Sequence, residues 1–323
     1  MHRWPSQLCA LAALLGAATA FAQSYYPTRT IRIMVPLAPG GSADIDARII
    51  GDKLSQTFGQ PVVIENRPGG GGAIGVNAIA KAAPDGYTIG IGPAGTLAIN
   101  PSLMKLPYDT QKDLTPLSGL VRSTLLIVAS PSGPILSIKD MIAYGKTHPG
   151  GITFGSPNVG SAQHLAGELL KAMTGADMVH VPYKGAADSV IAVLGGQILI
   201  AIVAPGGMAA QIRSGKLKAL ASTDSTRFFS LPEVPTVAES GVPGFEATGW
   251  LALFAPGGTP RDIVLRLNAE IVRALNMSDV REHIAANAES PHPTSPEELA
   301  RFVLAETEKW ARVIKASGVK LDL

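Results

Sequence analysis

Glycines 70, 72 and 75, in the stretch RPGGGGAIG that follows the apolar run PVVIE, have the spacing G-x-G-x-x-G. That spacing lets a dinucleotide's pyrophosphate approach backbone amides. It also requires an acid about 20 residues on, at the end of the next strand, to hold the ribose. Here the next strand-like run, YTIGIG, leads into Gly92, Pro93 and Ala94, and the nearest acid, Asp85, stands in the turn before it. Dinucleotide binding is therefore not expected, nor is any other cofactor. The chain contains no G-x-S-x-G elbow, no G-x-x-x-x-G-K-[ST] loop and no H-E-x-x-H pair. His148, His164, His180, His283 and His292 are scattered without ligand spacing, so neither a catalytic set nor a metal site is expected.

The chemistry that fits is anion binding by neutral loops. In VPLAPGGSADIDARI an apolar run ends at Val35, two prolines and two glycines follow, and a helix is predicted to start near Ser42. Free N–H groups and the positive end of a helix dipole there make a carboxylate site. Ser42 equally reads as the cap of its own helix, with Asp44 as first-turn acid. Comparable loops stand at Gly92 to Thr96 and at Gly155 to Ser161. Three such loops on one crevice would hold a small anion by directed hydrogen bonds rather than ion pairs. Pro-Gly-Gly triplets at Pro39 and Pro205 follow strongly apolar runs, where crevices open in α/β sheets.

The elements that must position these loops alternate. IRIMV, PVVIE and YTIGIG read as strands separated by segments of helical period. LLIVAS, ITFGS, MVHVPY, ILIAIVA and LKALAS repeat the alternation further on. Strand–helix alternation implies α/β architecture with parallel sheets covered on both faces. The C-terminal third reads as helical after GWLALFAP, with a capping box at Ser295 and Glu298 and a stop at Gly318.

The 323 residues are 46% hydrophobic and 16% charged, enough for two lobes, and no basic run interleaves with aromatics, which argues against a nucleic-acid partner. Residues 1–22 read as a cleavable signal peptide with cleavage near Ala22 after AFA. The apolar stretch falls short of the roughly 20 residues of a spanning helix. The one cysteine, Cys9, lies in that segment, so the mature protein has no disulfide, and a periplasmic location is expected.

Long stretches carry a resemblance: VPLAPGGSADIDARIIGDKLSQTFGQPVVIENRPGGGGAIG, AAPDGYTIGIGPAGTLAINPSL, HLAGELLKAMTGADMVHVPYKGA and LPEVPTVAESGVPGFEATGW, in that order. They are similar to solute-binding receptors of tripartite tricarboxylate transporters, the Bug family. The resemblance implies an α/β periplasmic binding protein of type II, with two lobes that close like a flytrap, each a mostly parallel sheet flanked by helices. It implies lobe 1 from residues 23–127 and 249–323, lobe 2 from 128–248, no catalytic activity, and delivery of a small carboxylate to inner-membrane transporter subunits by a monomeric receptor. The site residues it implies are Ala38, Gly41, Ser42, Ala43 and Asp44, then Ala94, Gly95 and Thr96. From the other lobe come Ser156, Asn158, Gly160, Ser161 and His164, with Ala204 and Pro205 after the later apolar run. His164 also reads as a structural histidine near a helix start.

One departure bears on the ligand. Relatives commonly carry acids at the positions of Leu199 and Val203. If those acids face the cleft, their replacement removes an attraction for ammonium and a repulsion against a second carboxylate. Small residues from Ala201 to Gly207 would leave room beside the ligand. A dicarboxylate with an apolar or aromatic body, such as terephthalate, is expected. The competing expectation is an exported α/β hydrolase acting on a carboxylic ester.

Overall fold

The computed structural model describes residues 26–156, 159, 161–183, 185–205 and 208–320. The leader and the site candidates Asn158 and Gly160 lie outside the described residues.

Along the chain, β1 (Ile31–Val35) leads through α1 (Ser42–Phe58), β2 (Val62–Asn66) and α2 (Ala73–Ala80) to β3 (Thr88–Pro93). A one-turn helix α3 (Asn100–Leu103) and the long β4 (Leu114–Ser123) follow. Next come β5 (Leu126–Ala129), α4 (Ile138–Thr147), β6 (Ile152–Ser156), α5 (Ala162–Thr174), β7 (Met178–Pro182), α6 (Ala186–Leu194), β8 (Ile200–Val203), α7 (Met208–Arg213) and β9 (Lys218–Ser222). The chain finishes with β10 (Gly249–Pro256), α8 (Arg261–Leu275), α9 (Ser278–Ala286), the short β11 (Ser290–Pro291) and α10 (Pro296–Ser317). Among the described residues no helix is long and apolar enough to cross a membrane.

Two sheets result, ordered β11-β4-β10-β3-β1-β2 and β7-β6-β8-β5-β9. The α/β class and the two helix-flanked sheets agree with expectation, whereas strand direction is mixed rather than mostly parallel. Among the strand pairs of the described residues, β1–β2, β1–β3, β6–β7 and β6–β8 run parallel. The strands at each crossing, β4 and β10 in one sheet and β5 in the other, pair antiparallel with their neighbours. A chain that leaves a sheet and returns beside its exit needs opposed strands at that place.

Burial explains the sequence signals. Ile31, Ile33 and Val35 of β1 and Ile89 and Ile91 of β3 have no exposed surface, so the strands read as apolar runs. In α1, Ala43, Ala47, Ile50 and Leu54 form the inward stripe, at helical spacing. The capping box of α10 forms as expected: Glu298 N–H donates to Ser295 Oγ, while Glu298 takes Ser295 N–H. Deep in the core the indole N–H groups of Trp250 and Trp310 both donate to Glu306 Oε2 at 3.1 Å. Satisfying two buried donors with one carboxylate ties α10 to β10.

RPGGGGAIG becomes a tight bend. Gly69 to Gly72 all have positive φ, and α2 starts directly after them. A Cβ on Gly75 would sit 2.6 Å from Pro36 Cα and 2.7 Å from the Arg67 carbonyl oxygen, and one on Gly72 would sit 2.5 Å from Thr96 Cγ2. The glycines let α2 press against the chain just after β1 and just after β3.

Candidate ligand-binding site

Strand register sets four loop ends on the sides of the two sheets between which the chain crosses. Loops after β1 and β3 leave neighbouring parallel strands of the first sheet, and those after β6 and β8 leave neighbouring parallel strands of the second. The crossing segments depart from the same ends. Leu251 of β10 pairs with Pro93 at the end of β3, and Gly249 pairs with Ser123 at the end of β4. Leu126, the first residue of β5, pairs with Val203 at the end of β8 and with Ser222 at the end of β9. The carboxyl ends of β1, β3, β6 and β8 therefore flank the gap spanned by the crossings, the place where open α/β sheets bind ligands.

In the loop after β1, Gly41 rather than Ser42 is the N-cap of α1, and no side chain caps it. Gly41 O accepts from the N–H of Asp44 and of Ile45. Among the described residues nothing accepts from the N–H of Ser42 or Ala43, which leaves two donors at the positive end of a 17-residue helix. Ala38, Gly41 and Ser42 are exposed, while Ala43 is buried. Asp44 is buried and committed to its own loop. Its carboxylate accepts from Gly40 N–H at 2.9 Å and from Arg48 Nε and a terminal nitrogen at 3.0 Å each. The Arg48 hydrogen bonds, with help from Gly40, hold its pKa down at about 2. Asn66 Nδ2 donates to Leu37 O from the end of β2 and braces the same loop.

After β3, Ala94 and Thr96 are buried and Gly95 is half-buried, with open space where a Cβ would point. The Thr96 hydroxyl donates to Pro93 O at 2.9 Å, and Tyr108 OH donates to Thr96 O at 2.9 Å. This loop too is fixed from behind, and backbone is what it offers outward.

The second sheet is different. Ser156, the last residue of β6, has no exposed surface, and its Oγ lies 2.7 Å from His180 Nε2 and 3.3 Å from Ser161 Oγ. Ser161 caps α5 by accepting from His164 N–H at 3.1 Å. The buried His164 ring stacks on His180 at 3.7 Å between centroids, with Nε2 3.7 Å from Glu168 Oε1. Burial, reinforced by His164, pulls the pKa of His180 down to about 4, so it is neutral near pH 7. His180 is the residue missed by sequence reasoning. The β6–β7 register places it opposite Phe154 and two residues from Pro182, the partner of Ser156, a contact across 24 residues with no local signature. Ala204 is exposed after β8, and Pro205 is buried, its carbonyl accepting from Met208 N–H.

The expectation about Leu199 and Val203 is corrected. Val203 has no exposed surface and packs with Leu126, Val128 and Val190, and Leu199 packs against the main core. Ala201 and Ile202 are equally sealed, so β8 leaves no room beside a ligand. Val203 is apolar because β8 is covered on both faces, and Leu199, just before the strand, is half-buried against the main core.

Charged groups sit behind the loops. The Arg122 guanidinium bridges Glu246 and Asp224, and Thr124 donates to Asp224 at 3.0 Å, tying both crossings together. Thr223 N–H donates to Leu125 O, Leu125 N–H donates to the Thr223 hydroxyl oxygen, and Ala247 N–H donates to Thr223 O. Behind the loop after β1, the buried carboxyls of Asp46 and Glu289 face one another, with the Ser123 hydroxyl donating to Glu289 at 2.9 Å. Burial and the opposing carboxyl raise the pKa of Asp46. Burial raises that of Glu289 as well. Among the described residues no group of three or more His, Cys, Asp or Glu could hold a metal.

Residues 46–319 match the family described as the tripartite tricarboxylate transporter family receptor. The chain is 39% identical over 311 residues to protein BugT of Bordetella pertussis, covering 96% of this chain and 95% of that one. Among solved structures, R. palustris Rpa4515 with adipate is 35% identical with a TM-score of 0.73, covering 91% of this chain and 99% of that one. MatC of Rhodopseudomonas palustris, with bound malate, is 34% identical with a TM-score of 0.70, covering 90% and 100%.

Proposed function

Because the chain belongs to the tripartite tricarboxylate transporter family of receptors, we propose that it captures a small dicarboxylate between its two sheets and delivers it to the inner-membrane subunits of such a transporter. The observation that carries this reading is that the ends of β3 and β8 pair with the strands at the crossings, which sets the loops after them beside the crossings. The lobes are then residues 23–127 with 249–323, and 128–248, and closure turns on Ser123–Leu126 and Thr223–Gly249. Residues 1–22 direct export to the periplasm, where the receptor acts as a monomer and without catalysis.

The ligand lacks an ammonium group. In the loop after β1 the one acid, Asp44, is buried and already neutralised by Arg48, so it offers no open negative charge to an ammonium group. Ala38, Gly41, Ser42, Ala43, Ala94, Gly95 and Thr96 grip one carboxylate mainly through backbone. Asn158, Gly160, Ser161 and Ala204 hold the other end, with the buried Ser156, His164 and Pro205 behind them. Rpa4515 was solved with adipate and MatC with malate, which supports the dicarboxylate class. Within it we place terephthalate, whose flat apolar body needs no polar partner between its two ends.

A hydrolase reading has one observation in its favour, the 2.7 Å contact between Ser156 Oγ and His180 Nε2. A nucleophile–base pair needs a base poised near the working pH and an approachable hydroxyl. His180 is far less basic than that, and Ser156 is sealed.

Calorimetric titration with terephthalate, adipate, malate and aspartate tests the proposal. Binding of a dicarboxylate but not of aspartate, with compaction in small-angle scattering, is the expected result. Binding of aspartate alone overturns the ligand class. Ester turnover lost in Ser156→Ala establishes the hydrolase instead.

A further inference from the structure

We propose that the buried Asp46–Glu289 carboxyl pair is a proton site coupled to ligand capture, so that the receptor takes up a proton as it binds its dicarboxylate. This rests on the carboxylate reading above.

The pair stands behind the loop that offers the anion its donors. The N–H groups of Ser42 and Ala43, from which nothing among the described residues accepts, open α1. Asp46 lies one turn further along the same helix, about 6 Å down its axis. Glu289 comes in from the segment between α9 and β11. Both residues are buried, and neither Asp46 oxygen nor Glu289 Oε2 meets a donor among the described residues. Two facing carboxyls with three such oxygens are satisfied by a proton between them, Asp46 donating to Glu289. On its other side Glu289 takes the Ser123 hydroxyl at 2.9 Å, and the Ser42 hydroxyl bears on the same carboxyl. Glu289 thus touches both the ligand loop and the crossing at Ser123.

Asp44 and Arg48, on α1 with Asp46, are bound to each other, and Lys53 further along pairs with Asp279 of α9. On α8, packed beside α1, Arg273 is held by Glu270. Arg122, next to Ser123 on β4, is spent on Glu246 and Asp224. His292, just beyond β11, is neutral near pH 7, its pKa pulled down to about 4 mainly by burial. The Asp46 charge answers to burial first and to Glu289 second, which push its pKa up to about 8. A ligand carboxylate at the start of α1 adds a second negative charge across protein rather than water, and so raises that value further. The bound state then keeps the proton to higher pH than the empty one. Affinity is therefore full below about pH 8 and falls as pH rises beyond it, and binding in that range takes up protons.

Calorimetry with terephthalate and adipate from pH 6 to 9.5 tests it. Wild type should lose about tenfold in affinity between pH 7 and 9.5, the scale of one charge acting on another across about 10 Å of protein. At pH 8, titrations repeated in HEPES and in Tris, whose ionisation enthalpies differ, should show net proton uptake. Asp46→Asn fixes the neutral form, so it should bind as wild type does at pH 7, stay level to pH 9.5 and take up no proton. Glu289→Gln removes the opposing charge and should flatten the profile as well. Level affinity across this range in wild type, binding without proton uptake, or a wild-type profile kept in Asp46→Asn overturns the proposal and leaves the carboxylate reading standing. Binding of neither dicarboxylate at any pH overturns both.

Discussion

Loops of the first sheet are braced from behind by side chains that donate to loop carbonyls and by a closely packed helix, whereas the loop after β6 is held by side chains bonded and stacked on one another. After β1 and β3 the supports are Asn66 on Leu37, Tyr108 on Thr96, and α2 lying against Pro36. After β6 they are Ser156, Ser161, His164 and His180 in one linked cluster. One surface is thus anchored through its backbone and the other through a cluster of polar side chains. Mutations should damage the first through folding and the second through affinity.

The comparison is broken most severely at Asp46, a titrating group hidden behind the first set of loops. Its oxygens meet no donor among the described residues, and the Glu289 carboxyl stands against them, an arrangement that needs a proton. The folded state then keeps a proton that the unfolded chain releases near pH 4. Stability from this pair is full below that pH and is lost as pH rises toward the raised folded value, by up to about 1.4 kcal/mol per pH unit. Denaturant midpoints taken from pH 5 to 9 should fall for wild type and stay flatter for Asp46→Asn. Parallel curves would refute the shared proton.

Next in size is Gly75→Ala. Its methyl meets backbone of Pro36 and Arg67, not a movable side chain, and should cost about 3 kcal/mol, seen as a lower melting temperature. Asp44→Ala should cost about 2 kcal/mol by removing a buried acceptor from Gly40 and Arg48. The contribution of Asp44 is present above about pH 4 and lost as pH falls toward about 2, so the variant and wild type should converge in acid melts. Smallest is Ser161→Ala, which removes the α5 cap and should cost about 1 kcal/mol while weakening ligand binding more than Asp44→Ala does. Equal affinity losses at Asp44 and Ser161 would erase the distinction between the two surfaces.

Legibility in the sequence followed the same division. β1, β2, β3 and β6 announced themselves as short runs rich in β-branched and apolar residues, largely buried in β1, β3 and β6 and half-buried in the edge strand β2. β4 did not, since LTPLSGLVRS contains Pro116 and lacks clean alternation. Pro116 pairs with Phe254 beside a register shift in β10, and β11 covers only Val121 and Arg122 on the other edge, so the missing N–H costs no ladder bond. Candidate loops were readable because glycine, proline and serine after an apolar run have a local physical meaning. His180, the Arg122 bridge and the Asp46–Glu289 pair were not readable. Each is made by strand register or by chain crossings that join residues 24 to 243 positions apart, and no local pattern encodes such a distance.

The bend at Gly69–Gly72 does more than turn the chain. Because Gly72 touches Thr96 and Gly75 touches Pro36, one helix end serves as the datum for both loops of the first sheet. Any drift of that helix carries the two loops by the same vector and leaves their separation unchanged. The span between them behaves as a fixed gauge, so adjustment to ligands of different length falls to the crossings and to the opposite surface.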